Sequence, residues 1–488
     1  MAAPMERGSG PADDARTGQD EQESPRPEPP FVYTERDFIR SGVGWSGPGS
    51  GSGSRLDRAL LSAWARRLAA GCFRYPLRGP EIPSRELPGP RRLLAQLNTQ
   101  RASQRRPPQT IAGLRQPFDP QRFNFTRVPA REILFPLRRG GGTEARVGGQ
   151  PDPGAPPEAQ AGAQPEAQVQ VGVQTNPGGV ADVRPLSEAK DQAHSGARTD
   201  PGAQPQTQVK PEAQAGPLSD PWTLHEGQNQ ANARPEDRAH SRAQLDPDPL
   251  PEAEQDALLI INDSPLEQGH VLLVPEPEKL LPQTLTRASV LRALELVLLS
   301  SDPAFRVGFN SLGAFASVNH LHLHGFYLRH RLEVEWAPTE PLGVNGAGAL
   351  VHRLCGHYTR ALVLYSDGGD YEEVADTLLA IIHLLLDRSV AHNLLLTRGC
   401  ALGPQPPDPD SRDGVRLILW PRRSCFGAKD GSAFNVAFCE LAGFLPVKTA
   451  PDFETLTEES ALRIIGEHLL PAEEFQQLCA EITGLSLH

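Results

Sequence analysis

Three histidines of this 488-residue chain, His320, His322 and His324, alternate with leucines within the stretch from Val318 to Phe326. Successive side chains of a β-strand point to opposite faces, so a strand here would place the three imidazoles on one face and the leucines on the buried side. Three interpretations fit this pattern. It could be an incidental polar face, a source of zinc ligands, or a neutral imidazole that attacks phosphorus while its neighbours fix its tautomer and stabilise negative charge.

The spacing of apolar residues predicts the elements that would hold these histidines. Strand-like runs are found at 256–262, 270–274, 305–310, 317–328, 360–365, 392–397 and 415–421. Helix-like runs are found at 56–68, 284–300 and 371–391. Strand runs that alternate with single helices and short turns indicate an α+β fold, with antiparallel sheets covered on one side.

Proline and glycine are abundant, with 49 and 45 residues, but the excess of proline is local. Residues 140–252 hold 16 prolines and a single aromatic residue, and their net charge is −8 out of −12 for the whole chain. A segment this poor in apolar residues cannot bury enough surface to offset the entropy lost on ordering. We therefore expect a disordered tail at 1–30 and a long disordered insert, rich in Pro, Ala and Gln, at 139–255.

Several classes of protein are excluded by what the sequence lacks. No apolar run reaches the roughly 18–20 residues that a membrane span needs, and the N-terminal segment has no apolar core of a secretory signal. The six cysteines are widely separated without a Cys-x-x-Cys pair, which argues against a zinc site or a disulfide framework. Reduced thiols and the lack of a leader predict a cytoplasmic protein without a membrane partner.

The segment from Arg101 to Arg139 is strongly basic, with nine arginines and two acidic residues. Guanidinium groups bind phosphate in a bidentate manner, so the segment could contact a nucleotide; it could equally be a solvated face or be paired with acids elsewhere. The whole chain is acidic and the segment lacks a pattern of stacking aromatic residues, so nucleic acid is not an expected partner.

The histidine stretch matches the signature His-φ-His-φ-His-φ-φ and resembles the histidine-triad (HIT) superfamily. The residues that precede it agree with this family in the same order. Asn262, Pro265, Gly269 and His270 resemble its Asn…Pro…Gly-His turn and strand, and residues 306–310 resemble its strand ending in Asn.

Several unconnected motifs are closer to one branch of the superfamily, the animal GDP-D-glucose phosphorylases, with GDP-L-galactose phosphorylases and galactose-1-phosphate uridylyltransferases as wider relatives. These motifs are at 97–98, 104–110, 116–120, 123–125, 264–277 and 426–437. The resemblance covers about 31–138 and 256–455 and implies a HIT-like fold with two related half-domains. The implied parts are 31–138, the N-terminal part of the catalytic region; 256–335, the half with the histidines; and 336–488, the second half and C-terminal helices.

The resemblance implies a nucleotidyl transfer in two steps, with GDP-glucose and inorganic phosphate as substrates and without a cofactor or metal. His322 would attack the α-phosphorus, release glucose 1-phosphate and hold GMP on its ring; phosphate would then attack this phosphoramidate and release GDP. His320 would orient His322, and His324 would donate to a phosphate oxygen or to the leaving group. The substrate-binding residues that the resemblance implies are Asn310, Ser317 and Asn262, the last of them near the ribose.

Two departures from the family patterns bear on the reaction. Ala316 stands where many members place Gln, so one side-chain contact to phosphate is expected to be absent or supplied elsewhere. His324 stands where the uridylyltransferases carry Gln, and histidine is commoner there among the hydrolases of the superfamily. A nucleotide hydrolase that uses the same His322, and a degenerate nucleotide-binding or scaffold module, are therefore the alternatives that stay open.

Overall fold

The structure is a computed structural model that describes residues 25–45, 53–77, 82–140, 257–344, 346–405, 408, 410–426 and 432–485. The disordered tail predicted at 1–30 and the disordered insert predicted at 139–255 lie outside the described residues, except at 25–30 and 139–140.

Strands and helices alternate along the described chain. The strands are β1 Phe31–Tyr33, β2 Ser84–Glu86, β3 Leu94–Leu97, β4 Ile133–Arg139, β5 Ala257–Ile261, β6 Val271–Pro275, β7 Phe305–Asn310, β8 Leu323–Tyr327, β9 Thr339–Pro341, β10 His352–Leu354, β11 Leu362–Ser366, β12 Ala391–Gly399, β13 Gly414–Arg422 and β14 Phe444–Val447. The helices are α1 Arg55–Ala69, α2 Thr99–Gln104, α3 Arg287–Leu298, α4 Ala347–Leu350, α5 Tyr371–Asp387, α6 Phe438–Leu441, α7 Ala450–Thr455, α8 Glu458–His468 and α9 Ala472–Thr483.

Most of these strands form one eleven-stranded sheet with the order β1-β4-β5-β6-β8-β7-β12-β13-β11-β10-β9. Its neighbouring strands are antiparallel, apart from the parallel pair β1 and β4. A small sheet of order β14-β3-β2 joins an N-terminal and a C-terminal part of the chain. The predicted α+β class is confirmed.

The large sheet contains the same arrangement twice. In the first half, β4, β5 and β6 lead into α3, and the strands then follow the spatial order 4-5-6-8-7. In the second half, β9, β10 and β11 lead into α5, and the spatial order is 9-10-11-13-12. The two halves meet where β7 pairs with β12, with Asn310 opposite Asn393. The topology thus contains two related halves, while their boundaries in the chain stay a prediction.

The helix predicted at 56–68 agrees with α1 to within one residue at each end, whereas the other two predicted helices were too long, and capping and turn residues explain the difference. The helix expected at 284–300 begins at Arg287, because the Thr286 side chain caps it and accepts the backbone N–H of Ser289 at 3.2 Å. The helix expected at 371–391 ends at Asp387, because Ser389 adopts a left-handed conformation with φ of 55°.

The centre of the large sheet is covered on both faces, so the prediction of a sheet covered on one side is wrong. Every residue of β12 and β13 is buried. Leu394 and Leu396 belong to one hydrophobic core, whereas Leu395 and Trp420 belong to another. Strands buried on both faces have continuous apolar runs, and Leu394-Leu395-Leu396 is such a run.

The strand that follows the histidine motif begins later than predicted. β8 starts at Leu323, so His324 alone of the three histidines lies on a strand. His320 and His322 precede it, in a segment whose backbone is hydrogen-bonded to the loop 281–283 instead of to a strand. The prediction that all three imidazoles share one strand face is wrong, because side chains alternate regularly only where the backbone is extended.

Candidate active site

An open cleft lies at the ends of β7 and β8, bordered also by the segment around α2 and by residues 435–448. It contains about 1250 Å³ of space free of protein atoms, its open mouth included. Five of the six predicted site residues line this cleft, namely Asn262, Asn310, Ser317, His322 and His324, whereas His320 does not.

His322 has one nitrogen engaged and one available. Its Nδ1 lies 2.7 Å from the backbone carbonyl of His320, and a carbonyl can only accept, so Nδ1 carries the proton. Nε2 then carries the lone pair, and it has no hydrogen-bond partner among the described residues. Burial lowers the pKa of His322 to about 4, so the ring is neutral at pH 7. A neutral imidazole with an available Nε2 is suited to nucleophilic attack.

The backbone of His322 is held by Gln283, a residue that no sequence motif had identified. The Gln283 side chain is buried and accepts the N–H of His322 at 2.9 Å. Its amide nitrogen donates to the carbonyls of His322 and Asn310, both at 3.0 Å. One amide therefore binds both peptide groups that flank the nucleophile and fixes them relative to β7.

His320 is buried between two aromatic rings and acts on the cleft only through its backbone. Its ring packs against Phe118 and Phe125, with centroid distances of 5.3 and 5.6 Å. Its Nδ1 accepts the backbone N–H of Phe125 at 3.0 Å, and burial lowers the pKa of the ring to about 4. The imidazole of His320 thus fixes the segment, and its carbonyl fixes the tautomer of His322.

The proton on His324 is placed by a chain of hydrogen bonds through His270. The backbone N–H of Leu266 donates to Nδ1 of His270 at 2.9 Å, so a neutral His270 carries its proton on Nε2. Burial holds the pKa of His270 well below its usual value, which keeps the ring neutral. Its Nε2 lies 3.2 Å from Nδ1 of His324 and 3.1 Å from Nδ2 of Asn262. When His270 donates this proton to Nδ1 of His324, the proton of His324 is on its Nε2, which is the arrangement that lets His324 donate beside His322.

Three further predicted residues add polar groups to the cleft. The Oδ1 of Asn310 accepts from Asn393 at 2.6 Å and from the backbone N–H of Phe438 at 3.2 Å. Its Nδ2 has no partner among the described residues and is left for a ligand. The Oδ1 of Asn262 accepts the N–H of Ser264 at 3.0 Å, and Ser317 is half-buried at the cleft wall.

The arginines of the basic segment divide into two groups. Arg101, Arg105 and Arg106 line the cleft, whereas Arg115 and Arg122 form exposed ion pairs, Arg115 with Asp387 and Arg122 with Asp119 of the same segment. Arg106 lies 3.3 Å from Asp263, and Arg101 donates to the Ser264 carbonyl. The guanidinium group of Arg105 makes no hydrogen bond or ion pair with the described residues; burial and the charge of Arg101 lower its pKa, and the charge of Glu440 raises it. A half-buried guanidinium group without a directly bonded anion favours an anionic ligand.

Sequence reasoning missed three polar residues of the site. Gln283 lies in a loop without any motif, and Lys448 lies beyond the last motif of the resemblance. Asn98 also lines the cleft, and its only signal was the Leu97-Asn98 pair within the basic N-terminal motifs.

Metal and membrane chemistry can be checked only within the described ranges. There, no group of three or more His, Cys, Asp or Glu side chains is arranged to hold a metal ion. Within the same ranges, no helix has the length and apolar character needed to cross a bilayer.

Comparison with known proteins relates this geometry to a family. The family model described as "GDPGP1-like, N-terminal domain" matches residues 55–155 and 232–326. The model described as "GDPGP1-like, C-terminal domain" matches residues 333–487. GDP-D-glucose phosphorylase 1 of Danio rerio is 38% identical over 92% of this chain and 96% of its own. The Homo sapiens protein of that name is 38% identical over 94% and 92% of the two chains. GDP-L-galactose phosphorylase 1 of Arabidopsis thaliana is 25% identical over 87% and 72%.

Among solved structures, yeast Ap4A phosphorylase Apa2 in complex with AMP matches 44% of this chain and 73% of its own, with 17% identity and a TM-score of 0.33. A likeness at this level indicates nothing about the chemistry of the site. The family is shown instead by two matching domain models and by relatives that share 38% of their residues over nearly the whole chain. This chain belongs to the GDP-D-glucose phosphorylase 1 (GDPGP1-like) family.

Proposed function

We propose that this chain catalyses the phosphorolysis of GDP-D-glucose, in which GDP-glucose and inorganic phosphate give GDP and glucose 1-phosphate. The observation that carries the proposal is the state of His322, whose Nδ1 donates to a carbonyl at 2.7 Å while Nε2 is left for a ligand. The names of the relatives supply the substrate and the class of reaction.

In the first step, Nε2 of His322 attacks the α-phosphorus of GDP-glucose. A P–N bond forms, and the P–O bond to glucose 1-phosphate breaks. The ring becomes an N-phosphorylated imidazolium, and its positive charge is stabilised by the His320 carbonyl that accepts from Nδ1. The Nε2–H of His324 donates to a non-bridging oxygen or to the leaving oxygen, where negative charge develops.

In the second step, an oxygen of inorganic phosphate attacks the phosphorus of the guanylyl–His322 intermediate. The P–N bond breaks, GDP leaves, and His322 returns to its neutral form. The departing and the incoming phosphate occupy the same place relative to the α-phosphorus, so one set of cations can hold both. Arg101 and Arg105 are the groups proposed for this role, because guanidinium binds phosphate oxygens in pairs.

The direct test is a product assay with GDP-glucose, with and without phosphate. We expect GDP and glucose 1-phosphate in the presence of phosphate, and a protein-bound guanylyl group without it. His322→Asn should abolish both turnover and labelling, whereas His383→Asn, at an exposed position of α5, should abolish neither. GMP and glucose 1-phosphate formed at a rate independent of phosphate would show a hydrolase instead.

We also propose a cytoplasmic location, supported by the six cysteines, all of which are free. The proposed partners are GDP-glucose and phosphate, without nucleic acid or membrane. The proposed domain plan keeps 31–138, 256–335 and 336–488 as the parts of the catalytic region.

A further inference from the structure

The cleft has two parts of different chemistry. One is an apolar wall made by Phe125, Leu272 and Val318, and the ring of Phe125 lies 4.8 Å from that of His322. The other is polar and includes Asn98 and Arg101, which also line a second, adjoining cavity. An apolar and aromatic wall beside the nucleophile suits the flat faces of a purine, whereas the polar part suits the group that leaves.

Asn98 is held in the polar part by a chain of two side chains, the buried Gln96 and the half-buried Glu267. The carboxylate of Glu267 accepts a hydrogen bond from Nε2 of Gln96, although the two residues are 171 positions apart in the sequence. The Oε1 of Gln96 in turn accepts from Nδ2 of Asn98 at 2.6 Å. The backbone N–H of Asn98 donates to the carbonyl of Val447 at 2.8 Å, which fixes its position at the end of β3.

This chain of bonds determines which end of the Asn98 amide faces the cleft. An ionised carboxylate can only accept, so Gln96 must present its NH₂ group to Glu267 and its oxygen to Asn98. Asn98 must then present its NH₂ group to Gln96. Its Oδ1 makes no hydrogen bond with the described residues, although the residue is only 7% exposed. The cleft therefore contains a fixed acceptor that lacks a donor.

We infer that Oδ1 of Asn98 accepts a hydrogen bond from a hydroxyl group of the hexosyl part of the substrate, with Gln96 and Glu267 as positioning residues. The inference rests on the proposed function and deepens it, since it names residues that recognise the hexosyl group of the substrate. Asn98 directly precedes α2, which carries Arg101, and Arg105 follows at its C-terminal end. A sugar phosphate held by these arginines places its hexosyl group next to Asn98.

A half-reaction analysis can distinguish sugar recognition from recognition of guanine. In a two-step mechanism with a covalent intermediate, kcat/KM for GDP-glucose reports the first step and kcat/KM for phosphate reports the second. The hexosyl group is present only in the first step, whereas the guanylyl group stays bound through both. A residue that reads the sugar must therefore change the first constant and leave the second unchanged.

The test measures both constants for Asn98→Ala and for Glu267→Gln, with Glu373→Gln at an exposed position of α5 as the matched control. For Asn98→Ala we expect kcat/KM for GDP-glucose to fall about 10- to 100-fold. For Glu267→Gln we expect a fall of about 3- to 10-fold, because a neutral amide at 267 lets the chain of amides reverse. In both variants kcat/KM for phosphate should stay within about twofold, and Glu373→Gln should change neither constant.

An equal fall in both constants would overturn the inference, because it would place Asn98 at the guanylyl group or show a general disturbance of the site. Unchanged constants in Asn98→Ala would overturn it as well. The wild-type enzyme separates these results from a failure of the proposed function. If its turnover does not depend on phosphate, or if no guanylyl–His322 intermediate forms, the proposed function itself is wrong.

Discussion

The two halves of the large sheet use the same topological position in opposite ways. In the first half, the connection 311–322 between β7 and β8 presents the neutral His322 to an open cleft. In the second half, the corresponding connection lies between Gly399 and Gly414, and its described residues line no part of that cleft. Instead, Arg412 of this connection joins a cluster of buried arginines that also contains Arg416 of β13 and Arg306 of β7 in the first half.

The arginine cluster is held by hydrogen bonds to groups of the protein itself. The carboxylate of Glu335 bridges Arg306 and Arg412, and all three side chains are fully buried. Arg416 donates to four backbone carbonyls, those of Val334, Ala337, Cys400 and Ala401. One topology can thus hold a reactive group or a structural network, and the difference is that the histidine site opens into a cleft whereas the arginine cluster is fully buried.

The comparison is tested most strongly by one substitution in the histidine site and one in the arginine cluster. His322→Asn should lower kcat at least about 10³-fold and leave the free energy of unfolding nearly unchanged, since only the nucleophile is lost. Glu335→Gln should lower the free energy of unfolding by about 3–5 kcal/mol, because it leaves two buried guanidinium groups without their anion. Urea denaturation and initial rates would measure both quantities. A Glu335→Gln variant of unchanged stability would contradict the structural role of the cluster.

Gln283→Leu tests whether the nucleophile needs its backbone clamp. We expect kcat to fall about 100-fold with a small change in KM, because a displaced His322 attacks poorly while the rest of the cleft still binds substrate. The rate of guanylylation in a single turnover would measure this directly. The matched control is Gln121→Leu at an exposed position. An equal fall in kcat in this control would contradict a specific role of Gln283 in holding His322.

Arg105 and Arg115 come from the same basic segment and differ only in their surroundings. Arg105→Ala should lower kcat/KM for phosphate about tenfold, because a charge-assisted contact to the anion is lost. Arg115→Ala should leave kcat/KM unchanged, because its partner Asp387 is an exposed carboxylate. Steady-state rates at limiting phosphate would measure kcat/KM for both variants. An equal fall in the two variants would show that the basic segment attracts phosphate by its total charge and not through a contact of Arg105.

Acid should affect the histidine site and spare the arginine cluster. Burial lowers the pKa values of His320 and His322 from 6.5 to about 4, so the unfolded chain binds protons before the folded chain does as the pH falls. The free energy of unfolding should therefore be fully retained above pH 6.5 and fall toward pH 4. Each histidine should account for about 1 kcal/mol between pH 7 and pH 5.5. Urea denaturation of His322→Asn should show a shallower pH dependence, and an unchanged slope would contradict this origin.

Local patterns predicted the elements of the fold well, because apolar spacing reflects burial along a single segment. Strands β5, β6, β12 and β13 were placed within about two residues of their ends. The start of β8 was wrong, because Gln283, 39 positions before His322, supplies the hydrogen bonds that a neighbouring strand would otherwise make. Spacing within the motif has no information about that contact.

The residues of the site also divide into those that a local motif identified and those that depend on distant partners. The motif pointed to His322 and to the Asn310 amide, which belong to contiguous signatures. Gln283 was missed because its partner His322 is 39 positions away, and Asn98 was missed because its partner Gln96 is oriented by Glu267, which is 171 positions from Gln96. A buried polar residue outside a motif looks like any other loop residue until the fold shows what it binds.

The bond between Asn393 and Asn310 has a consequence for the integrity of the enzyme. Asn393 belongs to β12 in the second half, yet its amide holds Oδ1 of Asn310 at 2.6 Å and so turns the Nδ2 of Asn310 toward the substrate. The second half thus supplies a side chain that orients a residue of the site in the first half. In a shared active site of a dimer, a neighbouring subunit supplies such a side chain; here both belong to one polypeptide. A chain that ended after the first half would keep all three histidines of the motif and lose the contact that orients this amide.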